Sequence, residues 1–183
     1  MSDFNEETLV EILVETRQLA QRVIANASAQ GITLGCVESC TGGLVGGALT
    51  DIPGSSASFG GGLITYSNDM KRRIVGVQQE ALDSHGAVSS QVAAHMAMGG
   101  MSVLGVHRCV SITGIAGPDG GTEDKPVGTV WFALAIGGQE EVRCSLAQFD
   151  GGREAVRAQA VLTALSLLDP GELEVAGEDE DAS

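Results

Sequence analysis

Aromatic residues are scarce in this sequence of 183 residues, where they make up only 3% of the chain. A hydrophobic core must therefore be built from aliphatic side chains, and an apolar fraction of 43% is enough for one core in a chain of this length. Glycine is abundant by contrast, with 26 residues, which is typical of tight turns and of loops that approach a ligand closely.

Basic residues are also few, ten Lys and Arg against 24 Asp and Glu, and the formal net charge is −14. Nucleic acid is thus a poor expected partner, because a basic surface is needed to neutralise phosphates. A small anionic substrate stays compatible, since a few local cations suffice for it. Six of the acidic residues follow Pro170. This predicts a disordered acidic tail over residues 170–183 beside a single domain over residues 1–169.

No segment of the sequence has the pattern of a membrane-spanning helix or of a secretory signal. The N-terminal "MSDFNEETLV" lacks the basic and apolar blocks of a secretory signal. The longest apolar run, in "VGTVWFALAIGG", is too short to cross a bilayer and is typical of a buried strand. We therefore expect a soluble, cytoplasmic protein with no membrane partner.

Residues that hold metals or form disulfides show no recognisable spacing. No C-x-x-C pair is present, and three of the four cysteines lie in apolar, strand-like surroundings, so reduced and buried thiols are expected. The three histidines form no H-E-x-x-H pattern. The sequence thus predicts no protein-bound metal. The cysteines are Cys36, Cys40, Cys109 and Cys144.

Common catalytic and phosphate-binding signatures are missing too. There is no G-x-S-x-G nucleophile elbow, and no Ser-His-Asp arrangement can be recognised. The glycine-rich stretch "TGIAGPDGGTEDKPVG" is not closed by the G-K-[ST] of a Walker loop. A strand rather than a helix is predicted after it, which argues against a dinucleotide fingerprint.

What is present is an alternation of helical and strand patterns. Apolar residues recur at helical spacing after Glu6, after Ser89 and after Gly152. Short apolar runs predict strands in "ITLGCVE", "GGLITYS", "RCVSITG", "TVWFALAI" and "EVRCSLAQF". The last two are expected to form a hairpin, which argues against an all-parallel sheet. The pattern predicts an α/β fold, a three-layer α/β/α sandwich with a mixed sheet.

The stretch "ESCTGG" places Ser39 between an apolar strand and a helix that begins after two glycines. Such a turn presents a side chain at the carboxyl end of a sheet. The N–H groups that follow, those of Thr41, Gly42 and Gly43, can bind an anion or an oxyanion. The simpler interpretation is that Ser39 or Thr41 only caps the helix, because caps are commoner than nucleophiles. A nucleophilic serine would also need a base.

Lys71 is the best candidate for that base. It follows "YSNDM", where Asn68 or Asp69 is expected to cap a short helix, and the first turn of a helix disfavours positive charge. The two arginines after it, together with burial, would also lower its pKa and favour the neutral amine. The alternative is a solvated surface lysine. Tyr66, the only tyrosine, can relay a proton or orient Lys71, or can simply pack at the end of a strand.

Two further positions can face a ligand. Thr113 lies where the third strand meets the long glycine-rich loop, whose length and composition are typical of a binding loop rather than of a plain surface excursion. Arg153 opens the last helix, where a cation is unfavourable unless an anion such as a substrate phosphate offsets the helix dipole. Arg157 lies one turn further on the same face. A salt bridge to Glu154 or another carboxylate is the alternative.

Six stretches, taken in chain order, resemble one known family, the CinA C-terminal domain family. The resemblance runs from about Glu38 to Leu168. Its most specific parts are the stretch "ESCTGG" and the long loop that begins with "TGIAGPDGG". The chain resembles the stand-alone form, because the molybdopterin-binding-like domain found upstream in two-domain members is missing. The stretches are "ESCTGG", "DIPGSSASF", "GLITYSNDMK", "HGAVS", "TGIAGPDGGTEDKPVGTVWFALA" and "GGREAVRAQAV".

Characterised members of this family are nicotinamide-nucleotide amidohydrolases, which convert nicotinamide mononucleotide to nicotinate mononucleotide and ammonia. The resemblance therefore implies this activity, with no metal or organic cofactor, and a homodimer. It implies Ser39 as the nucleophile, Lys71 as the general base and Tyr66 as its assisting hydroxyl. Substrate-binding positions are expected at Thr41, Gly42, Gly43, Thr113, Gly114 and Arg153.

Two features depart from the family pattern, the extra acidic tail and the triple glycine Gly60–Gly62. The glycines replace a stretch that is usually bulkier, and we expect them to loosen the strand that carries Tyr66. Two other functions remain open on the sequence. One is a non-catalytic nucleotide-binding or interaction module of the same fold. The other is an amidase with the same mechanism that acts on another substrate.

Overall fold

The structure, a computed structural model, describes residues 6–171. Its strands form one five-stranded sheet in the order β2-β1-β3-β4-β5. The first three of these are parallel, and β4 and β5 each run antiparallel to the strand before. The elements are α1 Glu6–Gln30, β1 Leu34–Glu38, α2 Leu44–Thr50, β2 Phe59–Ile64, α3 Asn68–Val75, α4 Gln79–His85, α5 Ser90–Leu104, β3 Arg108–Gly114, β4 Thr129–Ile136, β5 Arg143–Gln148 and α6 Arg153–Leu168.

Helices cover both faces of the sheet, which confirms the predicted three-layer sandwich with a mixed sheet. Helices α1, α2 and α6 pack together on the first face, and α3, α4 and α5 on the second. The core is largely aliphatic, as the shortage of aromatic residues predicts, and Phe132 is its one buried aromatic ring among the described residues. The acidic tail lies outside the described residues from position 172 onward.

Strand β1 aims neighbouring side chains at opposite faces of the sheet. Leu34 and Cys36 pack in the core of the first face, and Val37 packs in the core of the second. The same alternation directs Glu38, the last residue of β1, toward α2 and Ser39, the residue after it, toward α3. The side chains of these two adjacent polar residues therefore lie on opposite faces of the sheet, at the same edge.

The helix starts differ in detail from the sequence predictions. The cap of α3 is Ser67, whose hydroxyl accepts a hydrogen bond from the Met70 N–H, and not Asn68 or Asp69. Helix α5 is capped by Ser89, which agrees with the helical spacing that begins after this residue. Helix α4 was not predicted, because its seven residues carry too short an apolar pattern to stand out.

The prediction of buried thiols is correct for three cysteines and wrong for the fourth. Cys36, Cys40 and Cys109 are buried and free, whereas Cys144 is exposed and free. Cys144 lies on β5, a strand at the edge of the sheet whose residues are mostly exposed. An edge strand can carry apolar residues without enclosing them, which the sequence pattern alone does not reveal.

Two of the three glycines Gly60–Gly62 lie where β2 packs closely against neighbouring side chains, which differs from the expected loosening of the strand. A Cβ atom on Gly60 would lie 2.7 Å from Cγ1 of Val106, and one on Gly62 would lie 2.8 Å from Sγ of Cys36. Both separations are too short for real side chains. The glycines therefore let β2 approach its surroundings closely.

Residues 6–171 contain neither a membrane-spanning helix nor a cluster of metal-ligating side chains. None of the helices there is both long enough and apolar enough to cross a bilayer. That part of the chain also has no group of three or more His, Cys, Asp or Glu side chains arranged to hold a metal ion.

Candidate active site

Ser39 lies at the carboxyl end of two adjacent parallel strands. Its N–H donates to the carbonyl of Ile112 on β3 at 3.0 Å, which aligns the chain one residue past the end of β1. The chain then turns through Gly42 and Gly43, with φ angles of 62° and 102°, before α2 begins at Leu44. Both φ angles fall in the left-handed region that favours glycine. The turn leaves the Ser39 side chain on the wall of a cavity.

Lys71 reaches Ser39 from α3, on the second face of the sheet. Its Nζ lies 2.9 Å from Oγ of Ser39, and the lysine side chain is almost fully buried, with 1% of the residue exposed. The same Nζ donates to the backbone carbonyls of Thr65, at 2.8 Å, and Tyr66, at 3.2 Å. A lysine enclosed in this way is held in one geometry, so the solvated-lysine interpretation does not apply.

Burial lowers the pKa of the Lys71 amine from 10.5 to about 8, and the nearby Cys40 opposes this shift. A neutral amine has two N–H groups and one lone pair. Because the carbonyls of Thr65 and Tyr66 can take both N–H groups, the lone pair is left for the hydroxyl proton of Ser39. The pair therefore has the geometry of a nucleophile and its general base.

Cys40, next to the serine, is not activated in the same way. Burial raises the pKa of its thiol to about 11, so the thiol stays protonated at neutral pH. Of the two neighbouring side chains, only Ser39 has a base within hydrogen-bonding distance among the described residues.

Tyr66 contacts Lys71 through its backbone and not through its hydroxyl. The tyrosine is 61% exposed, and its hydroxyl lies 3.4 Å from Nη2 of Arg153. The sequence prediction that the hydroxyl orients Lys71 thus differs from the geometry, since the carbonyl does so. The ring still lines the cavity and can reach a ligand there.

The cavity around Ser39 has a volume of about 200 Å³ and a composition suited to an anionic ligand. Among the described residues its lining contains a guanidinium and an amine but no carboxylate, and part of its wall is apolar. This arrangement favours a planar group held against the apolar wall and a negative group near the guanidinium. The lining residues are Ser39, Cys40, Tyr66, Asn68, Lys71, Ala87, Val88, Thr113, Gly114, Ala116 and Arg153.

The apolar wall formed by Ala87 and Val88 is fixed by side chains from three parts of the chain. Nζ of Lys125 donates to the carbonyl of His85, and the Ser89 hydroxyl donates to that of Gly86. The Thr113 hydroxyl donates to the carbonyl of Ala87 at 2.8 Å. Thr113 therefore lines the cavity as predicted. Its hydroxyl proton, however, is already used in the hydrogen bond to the Ala87 carbonyl.

The two arginines of α6 donate hydrogen bonds to different segments of the chain. Nη1 of Arg153 donates to the carbonyl of Gly117 at 2.8 Å, which ties the glycine-rich loop to the cavity rim. Arg157 donates instead to the carbonyls of Cys40 and Thr41, behind the nucleophile turn. The two arginines therefore contact different segments although they lie one turn apart on α6.

Three predicted substrate-binding positions in the turn are also placed differently. The Gly42 N–H donates to the carbonyl of Ser39 at 3.2 Å, and the Gly43 N–H donates to the carboxylate of Glu38 at 2.9 Å. Thr41 is fully buried and is not among the residues that line the cavity. The glycine N–H groups are thus already occupied, and the expectation that they bind the oxyanion does not fit the geometry.

Glu38 is the residue that the sequence reasoning missed. It is buried, and its carboxylate accepts hydrogen bonds from the start of α2. One signal was available, an acidic residue at the end of an apolar strand, before a helix whose cap position is glycine. No side chain at that cap can accept from the first N–H groups of the helix, so another acceptor is required.

A larger groove of about 530 Å³ lies on the other side of the turn, between α1, α2 and α6. Its wall is mainly aliphatic, with Leu13, Leu44 and Val161 among its residues. It contains no hydroxyl with a neighbouring base, so size alone does not make it the candidate active site.

Residues 16–170 match the CinA C-terminal domain. The chain is 49% identical over 157 residues to nicotinamide-nucleotide amidohydrolase PncC of Escherichia coli (strain K12), covering 84% of this chain and 93% of that protein. It is 48% identical over 141 residues to a CinA-like protein of Geobacter sulfurreducens, covering 76% of this chain but only 33% of that longer relative.

Solved structures show the same fold. The crystal structure of competence/damage inducible protein CihA from Agrobacterium tumefaciens superposes with a TM-score of 0.81 at 42% identity, covering 84% of this chain and 93% of that one. A CinA superfamily protein from Klebsiella pneumoniae gives a TM-score of 0.82 at 36% identity, with coverages of 87% and 98%.

Proposed function

The chain belongs to the CinA C-terminal domain family, and we propose that it hydrolyses the carboxamide of nicotinamide mononucleotide to give nicotinate mononucleotide and ammonia. The observation that carries this proposal is the buried contact of 2.9 Å between Nζ of Lys71 and Oγ of Ser39, at the wall of a cavity that also holds Arg153. The similarity to amidohydrolases that act on nicotinamide nucleotides supports the choice of substrate.

In the first half of the reaction, Oγ of Ser39 attacks the carboxamide carbon while neutral Lys71 takes the hydroxyl proton. Negative charge moves to the carbonyl oxygen of the tetrahedral intermediate. The protonated Lys71 then gives its proton to the amide nitrogen, the C–N bond breaks, and ammonia leaves an ester on Ser39.

In the second half, water attacks the ester carbon while Lys71 takes one of its protons. The bond between the acyl carbon and Oγ breaks, and Lys71 returns the proton to Ser39. The product leaves as the acid, which loses its remaining proton to solvent and becomes the carboxylate. The cavity lining contains no carboxylate and no histidine, so Lys71 serves as the base in both halves.

The pyridine ring is held by the apolar wall, and the phosphate by Arg153. Ala87, Val88 and Ala116 offer an apolar surface beside Ser39. Arg153 uses Nη1 to hold Gly117, and its remaining N–H groups can bind a phosphate oxygen with charge assistance. Tyr66, next to Arg153, closes the same side of the cavity.

Ammonia release from nicotinamide mononucleotide by the wild-type protein and by Ser39→Ala tests the proposal. The matched control is Ser102→Ala, which removes an exposed hydroxyl from α5. Activity in wild type and control, but not in folded Ser39→Ala, is expected. A wild-type protein that binds the nucleotide without releasing ammonia is a binding module instead. Release only from other carboxamides would indicate an amidase of different specificity.

We further propose that the protein is a cytoplasmic homodimer that acts in the recycling of pyridine nucleotides. Support for the dimer comes from α1, where Val10, Leu13 and Val14 are each more than half exposed. Apolar side chains grouped on one helix are typical of an interaction surface. Light scattering coupled to size-exclusion chromatography would detect the dimer.

A further inference from the structure

A carboxylate from the end of β1 caps helix α2. Oε2 of Glu38 accepts the N–H of Gly43 at 2.9 Å and of Val45 at 3.2 Å, and Oε1 accepts that of Gly46 at 2.9 Å. Only 1% of Glu38 is exposed. Helix starts carry unsatisfied N–H groups and a partial positive charge, so a buried carboxylate is favourable there. Here it also fixes the chain that follows the nucleophile.

A guanidinium from α6 holds the same turn from its carbonyl side. Nε of Arg157 donates to the carbonyl of Cys40 at 3.2 Å, and Nη2 donates to that of Thr41 at 3.0 Å. The fork of the guanidinium suits two adjacent carbonyls, and a charged donor strengthens both bonds. The turn is thus bound by an anion on its N–H groups and by a cation on its carbonyls.

Three more N–H groups, in the turn and at the start of α2, donate to backbone carbonyls. Ser39 donates to Ile112, Gly42 donates to Ser39, and Leu44 donates to Thr41. The turn is therefore held along its backbone as well as by the two charged side chains, and this fixes the segment that carries Ser39.

We infer that Glu38 and Arg157 are positioning residues which clamp the nucleophile turn, residues 39–46, so that Oγ of Ser39 stays aligned with Nζ of Lys71. This inference rests on the proposed function for its chemistry. Neither side chain lines the cavity, so each acts through the backbone. Loss of either charge would let the turn relax, and Oγ of Ser39 would lose its alignment with Lys71 while the substrate-binding walls stay in place.

Glu38→Gln and Arg157→Met test the clamp, because each keeps much of the side-chain volume and removes the charge. Glu80→Gln and Arg143→Met are the matched controls, since both residues are exposed and lie on α4 and β5. Misplacing a catalytic group by about 1 Å can cost about 10²-fold in rate, so loosening the turn should lower kcat by roughly 10- to 100-fold. KM for nicotinamide mononucleotide should stay within about threefold, and the apparent pKa of the rate profile should not move, as Lys71 is untouched.

Hydrogen exchange of the peptide covering residues 39–46 provides a readout that needs no substrate. In both clamp variants this peptide should exchange at least about tenfold faster, while the rest of the chain and both controls exchange like wild type. That result together with a fall in kcat at constant KM supports the clamp.

Two outcomes would overturn the clamp. One is unchanged kcat and unchanged exchange in folded variants. The other is faster exchange throughout the chain, which would mean that the two residues only stabilise the fold. If wild type releases no ammonia but the turn alone exchanges faster in the variants, the proposed function fails while the clamp of the turn is supported.

Discussion

Nζ of Lys71 lies 2.9 Å from Oγ of Ser39, although 32 positions separate the two residues in the chain. The contact exists because β1 and β2 are parallel neighbours, so the chain that follows each strand arrives at the same edge of the sheet. Ser39 follows β1 directly, and Lys71 lies on the helix after β2. Burial of the lysine at this edge then lowers its pKa.

The rate should follow the protonation state of Lys71. With a pKa of about 8, the amine is mostly protonated at pH 7 and neutral above pH 9. We expect kcat/KM for nicotinamide mononucleotide to rise about tenfold per pH unit below pH 8 and to level off above it. Ammonia release measured from pH 6 to 10 checks this. Lys71→Ala should be at least about 100-fold slower, with no inflection near pH 8; an unchanged inflection would assign it to another group.

The same amine should make stability depend on pH. The folded protein loses the Lys71 proton near pH 8 and the unfolded chain near pH 10.5, so between these values the unfolded state binds more protons. Stability should therefore rise with pH in this window, relative to Lys71→Met, by roughly 1 kcal/mol per pH unit. Urea unfolding of both proteins at pH 7, 8.5 and 9.5 measures the difference. A constant difference would contradict the lowered pKa.

Removal of the Arg153 charge should weaken the reaction of the nucleotide more than that of a substrate without phosphate. Charged hydrogen bonds are worth about 1.5–3 kcal/mol, so Arg153→Met should raise KM for nicotinamide mononucleotide by roughly 10- to 100-fold. The riboside that lacks the phosphate should lose much less, only what the missing hydrogen bond to the Gly117 carbonyl costs. Arg72→Met, which removes an exposed cation from α3, is the control. Equal losses on nucleotide and riboside would refute a phosphate-binding role.

Tyr66→Phe should leave the protonation of Lys71 unchanged, because the backbone carbonyl of Tyr66 and not its hydroxyl contacts the amine. We expect kcat/KM to fall by about two- to tenfold, as for the loss of one hydrogen bond. The inflection near pH 8 should stay in place, as measured by the pH dependence of ammonia release. A shift of that inflection by a full pH unit would show that the hydroxyl controls the base.

Two glycines near the start of α2 should respond to alanine in opposite ways. Gly43 has a φ of 102°, and a Cβ there would lie 3.1 Å from Cδ1 of Ile64, so Gly43→Ala should destabilise the fold by about 1–2 kcal/mol. Gly47 is helical with open space around its missing Cβ, so Gly47→Ala should stabilise it by about 0.5–1 kcal/mol. Chemical denaturation gives both values. Equal effects at the two positions would contradict the turn geometry.

The prediction of the fold succeeded where the pattern is local. Strands β3 and β4 were predicted with their observed bounds, since their apolar runs end at turn residues. Helix α4 was missed because it is short. Exposure of Cys144 was missed because an edge strand and an inner strand have similar composition.

The candidate site was predicted in part for the same reason. Ser39, Lys71 and Arg153 were chosen from turns, helix starts and motif resemblance, and the structure places all three around one cavity. The hydrogen-bond partners were not predictable. That Arg157 holds the Cys40 carbonyl depends on how α6 packs against the turn, over a separation of 117 positions.

The sequence alone determined the order of helices and strands, the aliphatic core and the residues able to react, because spacing and side-chain chemistry are properties of neighbours along the chain. Only the tertiary structure decided that Lys71 is buried, that the Tyr66 hydroxyl turns to Arg153, and that Glu38 occupies the Gly43 N–H. These properties arise from desolvation and from contacts between distant segments, which exist only once the layers of the fold have packed together.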